Sequence, residues 1–451
     1  MLLTSFVKDD YYRSANQGLN ELKELINRLD PEFVAKAAVF ARQEFGMRSI
    51  SHAAAALVAK RASGKPWSRR FYSSVIRRPD DMTEIVSFYK VNRGKSLPAA
   101  MKVGFANALG KFNEYQLAKY RGEGNEFKLV DLVNLVRPKP TDANAEALNK
   151  LVAGTLVSTD TWESELTRAG QNAKSEVEKT QLKSDVWVRL ISERKLGYFA
   201  LLRNLRNIVE QAPTAVNSAL EMLVDESLIK KSLVLPFRFS TAYDVVKDLQ
   251  PQLTARVVMA AISDALDISC NNVPELPGRT LVCVDDSGSM SGEPLAIASL
   301  FAAVIAKKSN ADVIRFSDNA SWVNYDPGNT ALSIAEVIRK NARAAGTNFH
   351  APFQLLMPHT RVYDRIIFLS DMQGWMGYDA PTKDLCEYKR VSGANPFIHS
   401  FNVKGYGTLM FPEHGERICC ITGFSEKALE MLKAVEEGRD VLVKKIEAYQ
   451  I

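Results

Sequence analysis

The stretch Leu281-Val282-Cys283-Val284-Asp285-Asp286-Ser287-Gly288-Ser289-Met290 decides how this chain is read. Its first four residues are apolar and long enough for a buried strand. A run with helical character, Pro294 to Lys308, follows. Between the two stand a carboxylate, two hydroxyls and a Gly suited to a tight bend, at the carboxyl end of a predicted parallel strand. Ligands collect at that place in open α/β sheets. Hard divalent cations prefer oxygen ligands, and Mg²⁺ keeps some of its waters and takes few carboxylates. D-x-S-x-S is short and recurs by chance, or caps a helix on an ordinary sheet. Further oxygens are therefore required, and two more predicted strand ends supply them: Gly346-Thr347-Asn348, and Ser370-Asp371 directly after Arg365 to Leu369.

Those three pieces, in that order, resemble the metal-ion-dependent adhesion site of von Willebrand A domains. The resemblance implies a divalent cation, Mg²⁺ by preference, held by Asp285, Ser287 and Ser289 directly, by Thr347 directly or through water, and by Asp371 through water. Every position of that pattern is present. Asp286 is the variable residue between ligands and receives no metal role.

The chain has 451 residues, too many for one core of usual size, so two or more domains are expected. Apolar content of 46% with 24% charged residues is globular composition and argues against disorder. Five Cys without a C-x-x-C fit a reduced interior, and neither a disulfide framework nor a zinc site. The start, MLLTSFVKDDYYR, lacks the basic-then-apolar build of a signal peptide. No apolar run of about 18 residues marks a membrane span. The expectation is a cytoplasmic protein without membrane attachment.

Net charge is +6, unevenly spread. Residues 51–140 hold 17 Lys+Arg against 7 Asp+Glu, a balance of +10, so the rest of the chain sums to −4. The candidates for contact with a polyanion are Lys60, Arg61, Lys65, Arg69, Arg70, Arg77, Arg78, Arg93, Lys95, Lys102, Lys111, Lys119, Arg121, Arg137 and Lys139. Such clustering is the electrostatic footprint of nucleic-acid binding. Trp67, Phe71 and Tyr72 lie among these charges, either to stack on bases or to anchor a helix to its neighbour.

The texture of the chain changes near residue 278. Before it, helix-spaced apolar stripes follow one another. Leu19, Leu22, Leu25, Ile26 and Leu29 end at Asp30-Pro31, and Phe33, Ala37, Phe40 and Ala41 begin the next. Further stripes cover Ala99 to Leu109, Ala143 to Leu156, Val186 to Ile191 and Ala200 to Val209, suggesting an α-solenoid without a clean period. After Val273-Pro274-Glu275-Leu276-Pro277-Gly278, short strand-like runs (Leu281–Val284, Val313–Phe316, Ile366–Leu369, Phe397–Val403, Ile418–Ile421) alternate with helices. That is the pattern of a doubly wound, mostly parallel sheet.

The helical half also resembles a known module. VWVRLISERKLGYFALLRNLRNI (186–208), LPFRFSTAY (235–243) and the stretch 92–140 look like motifs of the TROVE domain, the RNA-binding module of the Ro autoantigen and its bacterial relatives. With a von Willebrand A domain behind them, the order matches that family over nearly the whole chain. The resemblance implies a multidomain fold: residues 1–273 as an all-α ring of HEAT-like helical repeats, closed by an α/β von Willebrand A domain at 279–451, acting as a monomer. It further implies binding of small structured Y RNAs and of single-stranded ends of misfolded noncoding RNA, in RNA quality control or processing. An exoribonuclease, or an acidic protein ligand at the metal site, is the implied protein partner.

The carry-over is uneven. The family's basic A-x-x-K-Y helix is matched only in part, at Lys119 and Tyr120, with Arg121 beside them. Leu135 stands where animal members carry a His, leaving Arg137 and Lys139 to serve there. Arg203, Asn204, Arg206 and Asn207 belong to a TROVE signature and read as structural. Catalysis finds little support. The five His are scattered, no H-E-x-x-H or phosphate-loop motif occurs, and no general base is evident. The reading is an RNA-binding scaffold and not an enzyme. The competing readings are a metal-dependent adhesion module displayed on a basic helical domain and, third, a metal-dependent nuclease.

Overall fold

The computed structural model describes residues 2, 15–93, 96–122, 124, 127–157, 161–232, 234, 236–358, 361–374, 381–404, 410–411, 417–422 and 428–451. The chain divides into two compact units, Met1–Thr159 with Ala434–Ile451, and Asp160–Lys433.

The first unit is helical. Asp30 accepts from the amides of Glu32 and Phe33 at 2.9 Å and so starts the helix Pro31–Gln43, with Pro at the first turn where its missing N–H costs nothing. The Ala-rich helix Ser49–Ala62 is buried along almost its whole length, because its small side chains let neighbouring helices approach from several sides. Each helix packs on those one or two places away in sequence: Pro31–Gln43 on Ser49–Ala62, Ser49–Ala62 on Pro79–Arg93, Ser68–Ser74 on Ala99–Leu109. That is the contact pattern of stacked helical repeats. The helix Arg439–Glu447 joins this unit by lying on Pro31–Gln43. There Lys36 Nζ donates to the Glu447 carbonyl at 2.7 Å, and Phe40 meets Tyr449 edge-on at 5.7 Å between ring centroids.

The second unit begins with more helices. The stripe anticipated at Val186–Ile191 is the end of a longer helix, Glu176–Ser192, and the next runs Tyr198–Gln211. Both are longer because Ser175 caps the first through the Glu178 amide, while polar residues on the exposed faces hide the period. Asn204 and Asn207 bond locally, to the Ala200 carbonyl at 2.8 Å and to Asn204 Oδ1 at 3.0 Å, a structural role as read from sequence. The helix Gln252–Ser269 leads into the α/β part, where Asp267 accepts from the Ala331 amide at 2.9 Å and pairs with Lys307 at 2.9 Å.

That part is a six-stranded sheet of β1 (Thr280–Asp285), β2 (Asp312–Phe316), β3 (Ala320–Trp322), β4 (Arg365–Ser370), β5 (Phe397–Asn402) and β6 (Ile418–Thr422). The order is β3-β2-β1-β4-β5-β6, with only β3 antiparallel. β3 is the strand sequence reading missed, being three residues long and half-buried. β1 and β4 are buried at every position, as befits central strands covered on both faces. From β1 the chain winds one way to β2 and β3, then the other way to β4, β5 and β6. The switch therefore falls between β1 and β4, and a crevice opens beyond their carboxyl ends. All five cysteines are free thiols. Among the described residues no helix is long and apolar enough to cross a membrane.

Candidate cation site and basic helical surface

Asp285 is the last residue of β1, and Ser370 and Asp371 are the last residue of β4 and the one after it, so the switch-point crevice lies between them. Asp285 is fully buried, and its two oxygens are already engaged: Oδ1 accepts from the Ser287 amide at 2.9 Å and Oδ2 from the Ser370 hydroxyl at 2.5 Å. Ser287 Oγ and Ser289 Oγ stand 3.3 Å apart. Gly288 stands in the expected tight bend, where Met290 N donates to Ser287 O at 3.1 Å and Ser291 N to Gly288 O at 3.2 Å. It permits close approach: a Cβ there would sit 3.2 Å from the Ala344 carbonyl.

The loop carrying Thr347 is stitched to this turn. Ala344 N donates to the Asp286 carbonyl and Gly288 N to the Ala345 carbonyl, each at 3.0 Å, and Asn348 N donates to Ser317 O at 2.8 Å beyond β2. Thr347 is buried within that frame. Asp286, given no role from sequence, is a brace: its Oδ2 accepts from the Arg343 amide at 3.2 Å. No signal in the sequence distinguishes it from a solvated residue between ligands. Lys404, just past β5, donates from Nζ to the Ser289 carbonyl at 2.5 Å.

The electrostatics of this cluster are those of a site short of positive charge. Burial pushes the Asp285 carboxyl up to about 7; its hydrogen bonds oppose the shift, and the nearby charge of Asp371 adds to it. Asp371 is wholly buried, one oxygen facing the Gln373 amide at 3.3 Å, while Oδ2 has no hydrogen-bond partner. An unpartnered buried carboxylate oxygen costs free energy unless a cation or donor meets it. The donors are oxygens from two carboxylates and three hydroxyls. Among the described residues no three His, Cys, Asp or Glu converge. The set fits a hard cation of Mg²⁺ type.

The basic candidates of the first unit fall into three groups. Lys60, Lys65, Arg69, Arg70, Arg137 and Lys139 are exposed and Lys102 is half-buried; among the described residues their side chains make no ion pair. Arg69 and Arg70 sit on Ser68–Ser74, pressed against Ala99–Leu109, which carries Lys102. The second group makes internal contacts. Arg61 donates to Ile26 O and Arg121 to Leu156 O, while Lys111 donates to Ser73 O at 2.6 Å, and burial lowers its pKa. Arg77 reaches Gln43 O at 3.2 Å, and Arg78 grips Asp80 at 2.5 Å while lying 4.3 Å from the Tyr120 ring centroid. Lys119 lies over Tyr115 and Tyr120 at 5.6 and 5.9 Å, so Arg78, Lys119 and Tyr120 meet. Lys95 lies outside the described residues, as does the side chain of Arg93. Trp67, Phe71 and Tyr72 are buried at 7%, 0% and 0% exposure, so they anchor the helix and do not face bases.

Beneath Arg77 and Arg78 lies a buried charge network. Asp81 Oδ2 accepts from Arg42 at 2.8 Å and from the amides of Arg77 and Arg78 at 2.9 and 3.0 Å, and its Oδ1 takes Arg48 at 3.1 Å. His52 stands between Glu84, 3.1 Å from Nδ1, and Asp81, 3.5 Å from Nε2.

Helical repeats joined to a doubly wound sheet with an oxygen-lined switch point define the class: a helical-repeat protein with a von Willebrand A-like α/β domain. The helical half matches the TROVE domain over residues 5–155 and 153–273. The chain belongs to the TROVE family, and with it to RNA-binding, ribonucleoprotein-forming proteins. Among curated proteins, the telomerase protein component 1 of Mus musculus is 26% identical over 52% of this chain, and that of Rattus norvegicus 24% identical over 53%. The matched region is 12% of the length of each of those relatives. The crystal structure of the Deinococcus radiodurans Ro (RSR) protein superposes with a TM-score of 0.69 at 18% identity, covering 96% of this chain and 95% of that one. The fold is that of a Ro protein from end to end.

Proposed function

We propose that this protein is a non-catalytic scaffold for small structured noncoding RNA and for single-stranded ends of misfolded RNA, acting in the cytoplasm in RNA quality control or processing. The observation that carries the reading is the set of exposed cations Lys60, Lys65, Arg69 and Arg70, without ion pairs among the described residues, displayed on helices of the TROVE-matching segment. Cations already neutralised by carboxylates add little to phosphate binding. Cations in water release condensed counterions when phosphate arrives. Residues 1–273 are the proposed RNA-binding half. Residues 279–451 are the proposed adhesion half, whose last helix packs with the first unit.

In that second half, we propose that Asp285, Ser287, Ser289, Thr347 and Asp371 hold one divalent cation, Mg²⁺ by preference. The unpartnered Asp371 Oδ2 supports this. Bound there, the cation supplies a Lewis-acidic open position suited to a carboxylate from a protein partner, such as an associated exoribonuclease. Asp286 holds the Thr347 loop and Ser370 orients the Asp285 carboxylate. This second reading, a metal-dependent adhesion module, coexists with the first. Sequencing of RNA crosslinked to the protein in its host tests the RNA reading, and an absorbance ratio of free protein after high-salt purification would oppose it. Incubation of labelled RNA with the protein and Mg²⁺ should give no cleavage.

A further inference from the structure

The end of the sheet opposite the cation site carries a row of arginines laid on aromatic rings. Arg279 lies 5.3 Å from the Tyr363 ring centroid, Arg361 4.7 Å from that of Trp322, and Arg417 3.7 Å from that of Phe397. The residues leading into the strands are aligned by backbone bonds. Asp364 N donates to Arg279 O, Phe397 N to Asp364 O, and Ile398 N to Arg417 O, at 2.9, 2.8 and 2.8 Å. Arg279 enters β1 and Arg417 enters β6, three strand intervals away, or about 14 Å. Arg361 stands on the β2 side, sharing Asp312 with Arg279 at 3.3 and 3.6 Å.

Among the described residues the acids at this end do not cancel the row, since the single carboxylate of Asp312 is shared by two guanidiniums. Asp364 Oδ2 is taken by the Arg279 amide at 2.7 Å, and Asp312 also accepts the Tyr363 hydroxyl at 2.6 Å. Side chains of Arg279 and Arg361 remain 57% and 46% exposed. A guanidinium has five donors, and stacking fixes its plane while leaving its edge open for a bidentate oxyanion. The Trp322 and Phe397 rings, both half-buried, offer faces to bases wherever an arginine swings aside, whereas Tyr363 is part of the core.

We infer that this edge, built on Arg279, Arg361 and Arg417, is a second nucleic-acid contact surface that grips the phosphates of single-stranded RNA. It lies in the α/β half, on a different segment of the chain from the basic helices, and the inference rests on the reading of the chain as an RNA binder. Arg279 and Arg361 outnumber the one carboxylate they share, and that net positive charge, on a chain read as an RNA binder, commits the surface to a phosphate backbone.

The test uses the full chain and a fluorescein-labelled single-stranded U-rich oligoribonucleotide in polarisation titrations, with Arg279→Gln/Arg361→Gln as the variant. The expected result is a loss of affinity of about fivefold. The slope of log affinity against log salt should fall by about 0.7 for each phosphate contact removed. Arg279→Lys/Arg361→Lys should recover the salt slope but not the full affinity. Photocrosslinking of a 4-thiouridine oligonucleotide to the unmodified protein should label peptides holding Trp322 or Phe397, a readout that does not depend on how a variant folds. If the unmodified protein binds the oligonucleotide, but the Gln variant binds it equally and no such peptide is labelled, the surface is refuted while the RNA reading stands. If the variant loses a poly-aspartate peptide and keeps RNA, the edge belongs to an acidic protein and the inference is overturned. Failure of the unmodified protein to bind any RNA removes both.

Discussion

Gly104 is packed so tightly on Tyr72 that a Cβ added to it would lie 2.4 Å from the Tyr72 Cβ and 2.7 Å from the Arg69 carbonyl. This contact seats the short helix Ser68–Ser74, with Arg69 and Arg70, on Ala99–Leu109. Replacing Gly104 with Ala should therefore destabilise the first unit by about 1–3 kcal/mol, the cost of overpacking a filled core. Thermal denaturation measures this, and RNA affinity should fall with it, since the helix that presents both arginines must shift.

Arg69→Glu/Arg70→Glu should weaken binding of all RNAs similarly and flatten the salt dependence, because both side chains are exposed and free of ion pairs among the described residues. Arg78→Glu should behave differently. It places a carboxylate beside Asp80 and removes the nearer of the two cations at the Tyr120 ring, so its first effect is a lower melting temperature. Titrations at several salt concentrations beside melting curves separate the two; equal effects in both assays would contradict the distinction.

The buried network sets a pH window for the first unit. Burial opposes charge on His52, but hydrogen bonds and attraction from Asp81 and Glu84 outweigh it, so its pKa is raised above the usual 6.5. A raised folded pKa gives stability that is full below 6.5 and is lost as pH rises through the folded value. Asp81 is shifted the other way. Burial alone would raise it; its bonds to His52, the charge of Arg42 and the Arg77 amide carry it well below the carboxylate range. Its share is full above the ordinary 3.8 and lost only in strong acid. Stability should decline above neutral pH in the native protein and stay flatter in His52→Gln, as melting across pH 5 to 9 would record.

Calorimetric titration of Mg²⁺ should show one site, absent in Asp285→Ala. Because burial holds the Asp285 carboxyl near 7, proton and cation compete, and affinity should drop as pH falls below about 7. Without cation the sign is set by the same shift: the stability tied to the protonated carboxyl is full below 3.8 and lost as pH rises through about 7. A pH-independent affinity between 6 and 8 would count against Asp285 as a ligand.

Chelation should leave RNA affinity within about twofold, roughly 0.4 kcal/mol, because the exposed cations and the oxygen cluster lie on different segments. A tenfold loss in EDTA would mean that RNA itself ligates the metal or that the two sites are coupled.

The sheet was legible because β1 and β4 are apolar at nearly every position and end in carboxylate and hydroxyl residues. Asp285, Ser287, Ser289, Thr347 and Asp371 come from the resemblance to a metal-ion-dependent adhesion site. What spacing cannot convey is which side chains are already used. Arg78 and Lys111 look like Arg69 and Lys102 in sequence, yet partners roughly 40 residues away or nearer claim the first two. Trp67, Phe71 and Tyr72 share one buried helix face with Ser68 and Val75, with Arg69 and Arg70 off it, but a stripe on so short a helix reads equally as a core face or as a face for bases. Asp286 needed a loop more than fifty residues downstream before its brace became visible.

The packing of Ala434–Ile451 with Met1–Thr159 has a consequence for synthesis. The segment Met1–Thr159 leaves the ribosome before its unit can be finished, since the Lys36 partner Glu447 lies 411 residues further along the chain. At usual elongation rates, tens of seconds separate the two. During that interval the apolar face of Pro31–Gln43 is a nascent-chain liability that a chaperone, or an early RNA ligand, would be best placed to shield.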